Sequence, residues 1–155
     1  VGMANPAWFV KPELMDWSPI VFGERMVFLS RSGFAATIKA YEDLKGLRVG
    51  MSTGYLYPEF PGAPAFTRDD AATVARNVER LSAGWLDLVY GGEYDIASHI
   101  GSFPGRYRVH PWSPSSSSYR WAVAKRLGER GALILKTIEA MLKDGTVERI
   151  LSGYR

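Results

Sequence analysis

Residues 41–58, YEDLKGLRVGMSTGYLYP, constrain the fold more than any other stretch of the chain. A short amphipathic turn ends at Gly46, and the compact apolar run Leu47–Met51 follows at once. A run that short, apolar on both faces apart from Arg48, reads as a buried parallel strand. Parallel pairing requires a crossover connection, so this segment commits the chain to an α/β architecture. After the strand, Ser52, Thr53 and Gly54 turn the backbone sharply, and the pattern predicts a helix opening at Gly54. A strand feeding a glycine turn and a helix start aims unpaired N–H groups and a positive dipole end at one spot. In α/β proteins, small anionic or polar ligands sit there.

Elsewhere the pattern alternates between strands and helices. Residues 1–24, dense in proline and aromatics, read as extended strands and loops, and Arg25–Ser30 (RMVFLS) as a short strand. Pro58, Pro61, Gly62 and Pro64 break regular structure. Thr67–Asp70 predicts a helix start, with Ala71, Val74, Val78 and Leu81 at helical spacing and Gly84 as the stop. Trp85–Tyr90 predicts the next strand, ended by Gly91-Gly92. Tyr94–Ile100 fits either helix or strand, and Tyr107–His110 reads as a strand. Pro111–Ser118 (PWSPSSSS) reads as a linker, and Arg120–Lys125 as an alternating strand. Two amphipathic helices close the chain, one carrying Leu133, Leu135, Ile138 and Leu142, the other Val147, Ile150, Leu151 and Tyr154. If strands 25–30 and 120–125 pair, the central block is a lobe inserted through a two-strand neck, the layout of a hinged protein.

Composition excludes several function classes. A chain of 155 residues suits one ordinary domain, burying roughly 70% of its unfolded surface. Its 46% hydrophobic content is ample for a core. The 19 basic residues are scattered among 16 acidic ones, a mixed surface rather than the one-sided basic face of a nucleic-acid binder. With no cysteine there is no disulfide, thiol chemistry or cysteine metal site. No apolar run approaches the ~18 residues a membrane span needs. No basic segment followed by an apolar run opens the chain at Val1, so no signal peptide is read in it. His99 and His110 stand alone without metal-ligand spacing, and Ser18 and Ser52 lack a nucleophile elbow. Gly50 and Gly54 do not make a phosphate loop, because no Lys-Ser or Lys-Thr follows. No catalytic residue, metal ligand or cofactor is assigned.

Four segments together resemble the type 2 periplasmic solute-binding proteins, the polar amino-acid branch of the ABC-transporter receptors. They are Asp16-Trp17-Ser18-Pro19; Asp43-Leu44-Lys45-Gly46 with Val49-Gly50 and Gly54; Arg80–Asp87; and Arg120–Lys125 with Asp144-Gly145-Thr146. Their order and spacing cover essentially the whole chain. The resemblance implies a two-lobed α/β fold joined by a two-strand hinge. Residues 1–30 and 119–155 would form a partial first lobe lacking the family's N-terminal elements, and residues 31–118 a complete second lobe. It further implies a periplasmic, non-enzymatic receptor that passes a small polar or charged solute to an ABC-transporter permease. Three explanations of the missing lobe elements stay open: a truncated product, upstream residues outside this sequence, or a homo-oligomer in which domain exchange supplies the surface.

Carried over position by position, the family's ligand contacts change character. The arginine that clamps a carboxylate aligns with Lys11, a point charge without the two parallel bonds of a guanidinium. The small polar residues before it leave Asn5 as the side-chain hydrogen bonder. After Gly54 the family's threonine pair becomes Tyr55 and Leu56, followed by Tyr57. The acid that holds the ligand's amino group falls at Gly92, with Glu93 one step on. The expected ligand set is Asn5, Lys11, Gly54, Tyr55, Tyr57 and Glu93. Trp17, Trp85 and Trp121 lie in apolar runs and read as core, and Asp87 as a turn or capping residue. Two other readings of the fold are a sensory or interaction module without free solute and a dehydratase-like enzyme using Glu93 or Lys11.

Overall fold

The computed structural model describes residues 2–62 and 65–153. Pro64 and Tyr154, expected as a breaker and a helix residue, lie outside them, as does Val1. The chain divides into two compact units, residues 1–23 with 117–155, and residues 24–116. It passes between them twice, within strand β3 (Phe22–Arg31) and within β8 (Ser115–Ala124), which are neighbours in the strand order.

In the first unit, the short strands β1 (Gly2–Ala4) and β2 (Met15–Trp17) both pair antiparallel with β8. Helices α3 (Gly128–Lys143) and α4 (Thr146–Ser152) follow, separated by Gly145 at φ +77°. Among its described residues, only Ala4, Ala122, Val123 and Ile138 are buried hydrophobics. The serine run expected as a linker begins β8 instead. Ser115 there shares hydrogen bonds with Glu59 and Tyr90 inside the second unit, so tertiary pairing overrides weak strand propensity.

The second unit is built on β3, β4 (Arg48–Gly50), β5 (Thr67–Arg68), β6 (Leu88–Gly92) and β7 (Tyr107–Val109). β4 runs parallel to both β5 and β6, and β6 and β7 lie antiparallel to β3. Alternate side chains of β3 and β6 enter two different cores. Met26, Phe28, Leu88 and Tyr90 join Ile38, Leu44, Phe60 and Phe66, while Val27, Leu29 and Val89 face Val74, Val78, Leu81 and Ile96. Both faces are covered, and this is why RMVFLS is apolar without alternation. The second core lies under α1 (Val74–Ser82) and α2 (Glu93–Ile100). The segment left open between helix and strand is therefore a helix.

The segments 67–70 and 85–90 also differ from the sequence expectation. Thr67–Asp70 does not open a helix. Thr67 N–H and Asp69 N–H donate to the Leu47 and Val49 carbonyls at 2.8 and 3.0 Å, making β5 an added parallel strand. The cap of α1 is Thr73, whose hydroxyl accepts from Arg76 N–H at 3.2 Å. Trp85 is 58% exposed rather than core, because the strand starts at Leu88 and only Leu86 of the preceding residues turns inward.

Candidate functional site

β4 runs parallel beside the first part of β6, with Gly50 in register with Val89, and β6 continues to Gly92. Beyond them run the loop 51–57 and the junction of β6 with α2. Gly50 permits the close approach of α1. A Cβ there would fall 2.8 Å from Asn77 Oδ1 and 2.5 Å from a Leu86 methyl. Asn77, fully buried, uses that space to donate from Nδ2 to the Met51 carbonyl at 2.8 Å. The loop is further tied at Thr53, whose N–H donates to the Ala71 carbonyl at 2.9 Å.

Gly54 turns the chain at φ +81°, but no helix opens there. Pro58 and Pro61 supply no N–H for an α-helical ladder, and the next helix is α1, beyond β5. The Tyr57 hydroxyl accepts from Ser52 N–H at 3.0 Å, closing the turn on itself. Burial raises the Tyr57 pKa. The Arg68 guanidinium lies 5.0 Å over the Tyr57 ring. Its Nε and Nη2 donate to both oxygens of Asp70 at 2.6 and 2.7 Å, and Nη2 also reaches the Tyr55 carbonyl at 3.3 Å. Tyr55 is 42% exposed at the loop tip.

The β6–α2 junction holds two acids in different settings. Glu93 is at the surface, where Arg25 Nη2 and Nε donate to its two oxygens at 2.6 and 3.1 Å. That hydrogen-bonded guanidinium lowers the Glu93 pKa. Glu24, which the sequence reading did not single out, is 8% exposed, and its Oε2 accepts from Tyr94 N–H at 2.9 Å in the first turn of α2. Gly92 makes room for it, since a Cβ on Gly92 would lie 2.3 and 2.6 Å from the two carboxylate oxygens. No local signal marks Glu24, whose hydrogen-bond donor Tyr94 is 70 residues away in the chain.

Of the expected ligand set, Gly54, Tyr55, Tyr57 and Glu93 are in the second unit, at or just after the ends of β4 and β6. Asn5 and Lys11 are in the first. Asn5 Oδ1 accepts from Ala7 N–H at 2.9 Å and caps a one-turn helix at Pro6–Trp8. Lys11 is exposed before a second such turn at Pro12–Leu14. Asp87 grips β4 from both sides of one residue. Its Oδ2 accepts from Arg48 N–H at 2.8 Å, and its own N–H donates to the Arg48 carbonyl at 2.9 Å.

Among the described residues, no three His, Asp or Glu side chains are grouped to hold a metal ion, and no helix is long and apolar enough to cross a membrane. His110 is buried. Its Nδ1 accepts from Ile38 N–H and its Nε2 faces the Ser30 hydroxyl, both at 3.0 Å. The first unit carries a separate groove of about 390 Å³ lined by Trp121, Leu133, Ile138, Met141 and Val147.

The fold is that of the type 2 periplasmic solute-binding proteins. Solved structures with this fold include an amino acid ABC transporter substrate-binding protein from Streptococcus pneumoniae bound to L-arginine. It superposes with TM-score 0.79 at 17% identity over 93% of this chain. An ancestral arginine-binding protein bound to arginine gives TM-score 0.75 at 22% identity over 93% of the chain and 66% of its own. The GluR0 ligand-binding core in complex with L-glutamate gives 0.78 at 10% identity over 96% of the chain and 68% of its own. The chain spans 62% of the length of the streptococcal protein. No protein-family model and no curated protein sequence matches it.

Proposed function

We propose that this chain belongs to an extracytoplasmic receptor that binds a small polar or charged, amino-acid-like solute and delivers it to the permease of an ABC importer. The observation that carries the reading is the Gly54 turn that follows β4, a strand running parallel to β6, in a fold whose solved neighbours hold arginine or glutamate. The proposed contacts are Asn5, Lys11, Gly54, Tyr55, Tyr57 and Glu93. Tyr55 supplies an exposed ring for the apolar part of the solute. Tyr57 sets the loop, because its hydroxyl already serves Ser52. The periplasm is the proposed compartment, and no catalytic step is proposed.

Isothermal titration against amino acids, polyamines and small organic acids tests the reading. One or more should bind with a saturable isotherm, and none binding at millimolar concentration overturns it. Replacing Tyr55 with Ala should then weaken the hit by about 1–3 kcal/mol through lost ring burial.

A second reading rests on a different observation. The groove beside Leu133, which is 66% exposed, suits an interaction module of the same fold that binds no free solute. Light scattering after size-exclusion chromatography separates the two. Self-association lost in Leu133→Lys supports the module.

A further inference from the structure

We propose that the second unit carries a separate site for a small organic anion, a carboxylate or phosphate on an apolar body, away from the Gly54 turn. A cavity of about 690 Å³ is lined by Arg31, Gly33, Phe34, Ala35, Ala36 and Leu47. That volume suits a small-molecule ligand. Arg31 is the last residue of β3, two beyond Leu29, which pairs with Val89, and Leu47 directly precedes β4. Both therefore stand on the side of the sheet from which β4 and β6 start, whereas Gly54 follows β4.

The chemistry of the lining selects the ligand. Among the lining residues Arg31 alone is charged. Arg25, Arg68, Arg76 and Arg80 each pair with a carboxylate, but the Arg31 guanidinium has neither an ion pair nor a hydrogen bond with a described residue. It packs over Gly84, where a Cβ would lie 2.8 Å from Nη1. A planar guanidinium with unused donors takes two oxygens of a carboxylate or phosphate at once. Phe34 and Leu47, both packed against the core, offer apolar surface. The wall between them has no regular structure, yet it is fixed. Phe34 N–H donates to the Arg31 carbonyl at 3.0 Å, and Arg108 Nη2 donates to the Phe34 carbonyl at 2.8 Å and to that of Ala36. Because the peptide is trans, turning the Phe34 carbonyl toward Arg108 turns the Ala35 N–H away from it, and that N–H donates to no described residue. This arrangement leaves the buried Arg108 Nε without a partner among the described residues, a cost that packing of the loop alone does not require.

The test is amide NMR titration of the isotope-labelled whole chain with phenylacetate, phenyl phosphate, the neutral phenylacetamide, and acetate, which lacks the ring. Phenylacetate or phenyl phosphate should bind saturably, moving the signals of Gly33, Ala35 and Ala36 and leaving those of Gly54 and Tyr55 in place. The binding should be about fivefold or more tighter than that of phenylacetamide and of acetate. R31Q loses no hydrogen bond or ion pair with a described residue, so its melting temperature should stay close to wild type while the preference for the anion disappears. Equal binding of the anions and phenylacetamide by the wild type overturns the site without any variant. Shifts confined to the Gly54 loop, unchanged preference in a folded R31Q, or no binding of either aromatic anion at millimolar concentration also overturn it. The solute reading at Gly54 stands or falls separately, by the titration of amino acids described for it.

Discussion

Acidification from pH 7.5 to pH 5 should destabilise this protein through one buried imidazole. Burial, with a smaller contribution from Arg108, lowers the His110 pKa from 6.5 to about 4. The hydrogen bonds give the reason. Nδ1 is an acceptor for Ile38 N–H, so the single ring proton is on Nε2, facing a Ser30 hydroxyl that donates its own hydrogen to the Arg31 carbonyl. Protonating Nδ1 would set two donors against each other. A folded-state pKa below the unfolded value means that the unfolded chain binds the extra proton first. The stability contributed by neutral His110 is therefore full above pH 6.5 and lost as the pH falls from 6.5 toward 4. The whole shift corresponds to a ceiling of about 3 kcal/mol, of which about 2 kcal/mol is lost by pH 5. Urea unfolding at pH 7.5, 6 and 5 measures the slope, with His110→Gln as the comparison because its amide offers an acceptor and a donor but does not titrate. His99 is present in both proteins and cancels in the difference. The wild type should lose about 2 kcal/mol more than the variant over that interval. Equal pH dependence in the two would refute the assignment of the acid sensitivity to His110.

Two further outcomes follow from the loop at the strand ends. Asn77→Ala removes the bond to the Met51 carbonyl from a fully buried position and should cost about 1–3 kcal/mol in chemical denaturation; a loss below about 0.5 kcal/mol would mean that α1 and β4 are held by apolar contacts alone. Tyr57→Phe removes the acceptor for Ser52 N–H, so hydrogen exchange at Ser52 should accelerate about fivefold or more, reflecting a bond worth about 1 kcal/mol, and unchanged protection there would refute the closure of the turn by that hydroxyl.

What could be read from the chain was what is encoded locally. β4 follows from five residues between a polar turn and a glycine, α1 from Val74, Val78 and Leu81 at helical spacing, and its stop from Gly84, which takes φ +81°. Errors arose where partners far along the chain decide the outcome. Asp69 and Asp70 look like first-turn acids, but they bind Arg80 and Arg68, and the backbone before them pairs with β4. Ser115–Ser118 has the composition of a linker yet is held as a strand. Gly91 and Gly92 read as the end of a strand and instead continue β6, opposite Val27 and Met26. Glycine there reflects close packing, because a Cβ on Gly92 would meet Glu24 and one on Gly91 would lie 3.2 Å from Val74.

The two acids at the β6–α2 junction show why the placement of a buried charge resists reading from sequence. Reading along the chain selects Glu93, the nearest acid to the strand end. Which carboxylate is buried there is fixed by the register of β3 on β6, with Met26 opposite Gly92 and Val27 opposite Gly91. Successive side chains of β3 alternate between faces, so Glu24 is buried while Arg25 is exposed. A slip of one residue would carry Arg25 to the buried position and reverse the sign of the charge behind the loop. The register is pinned by Met26 and Phe28 in one core and Val27 and Leu29 in the other, since a one-residue slip would exchange all four between the two cores. The charge at the strand end is therefore decided by apolar residues several positions away from it.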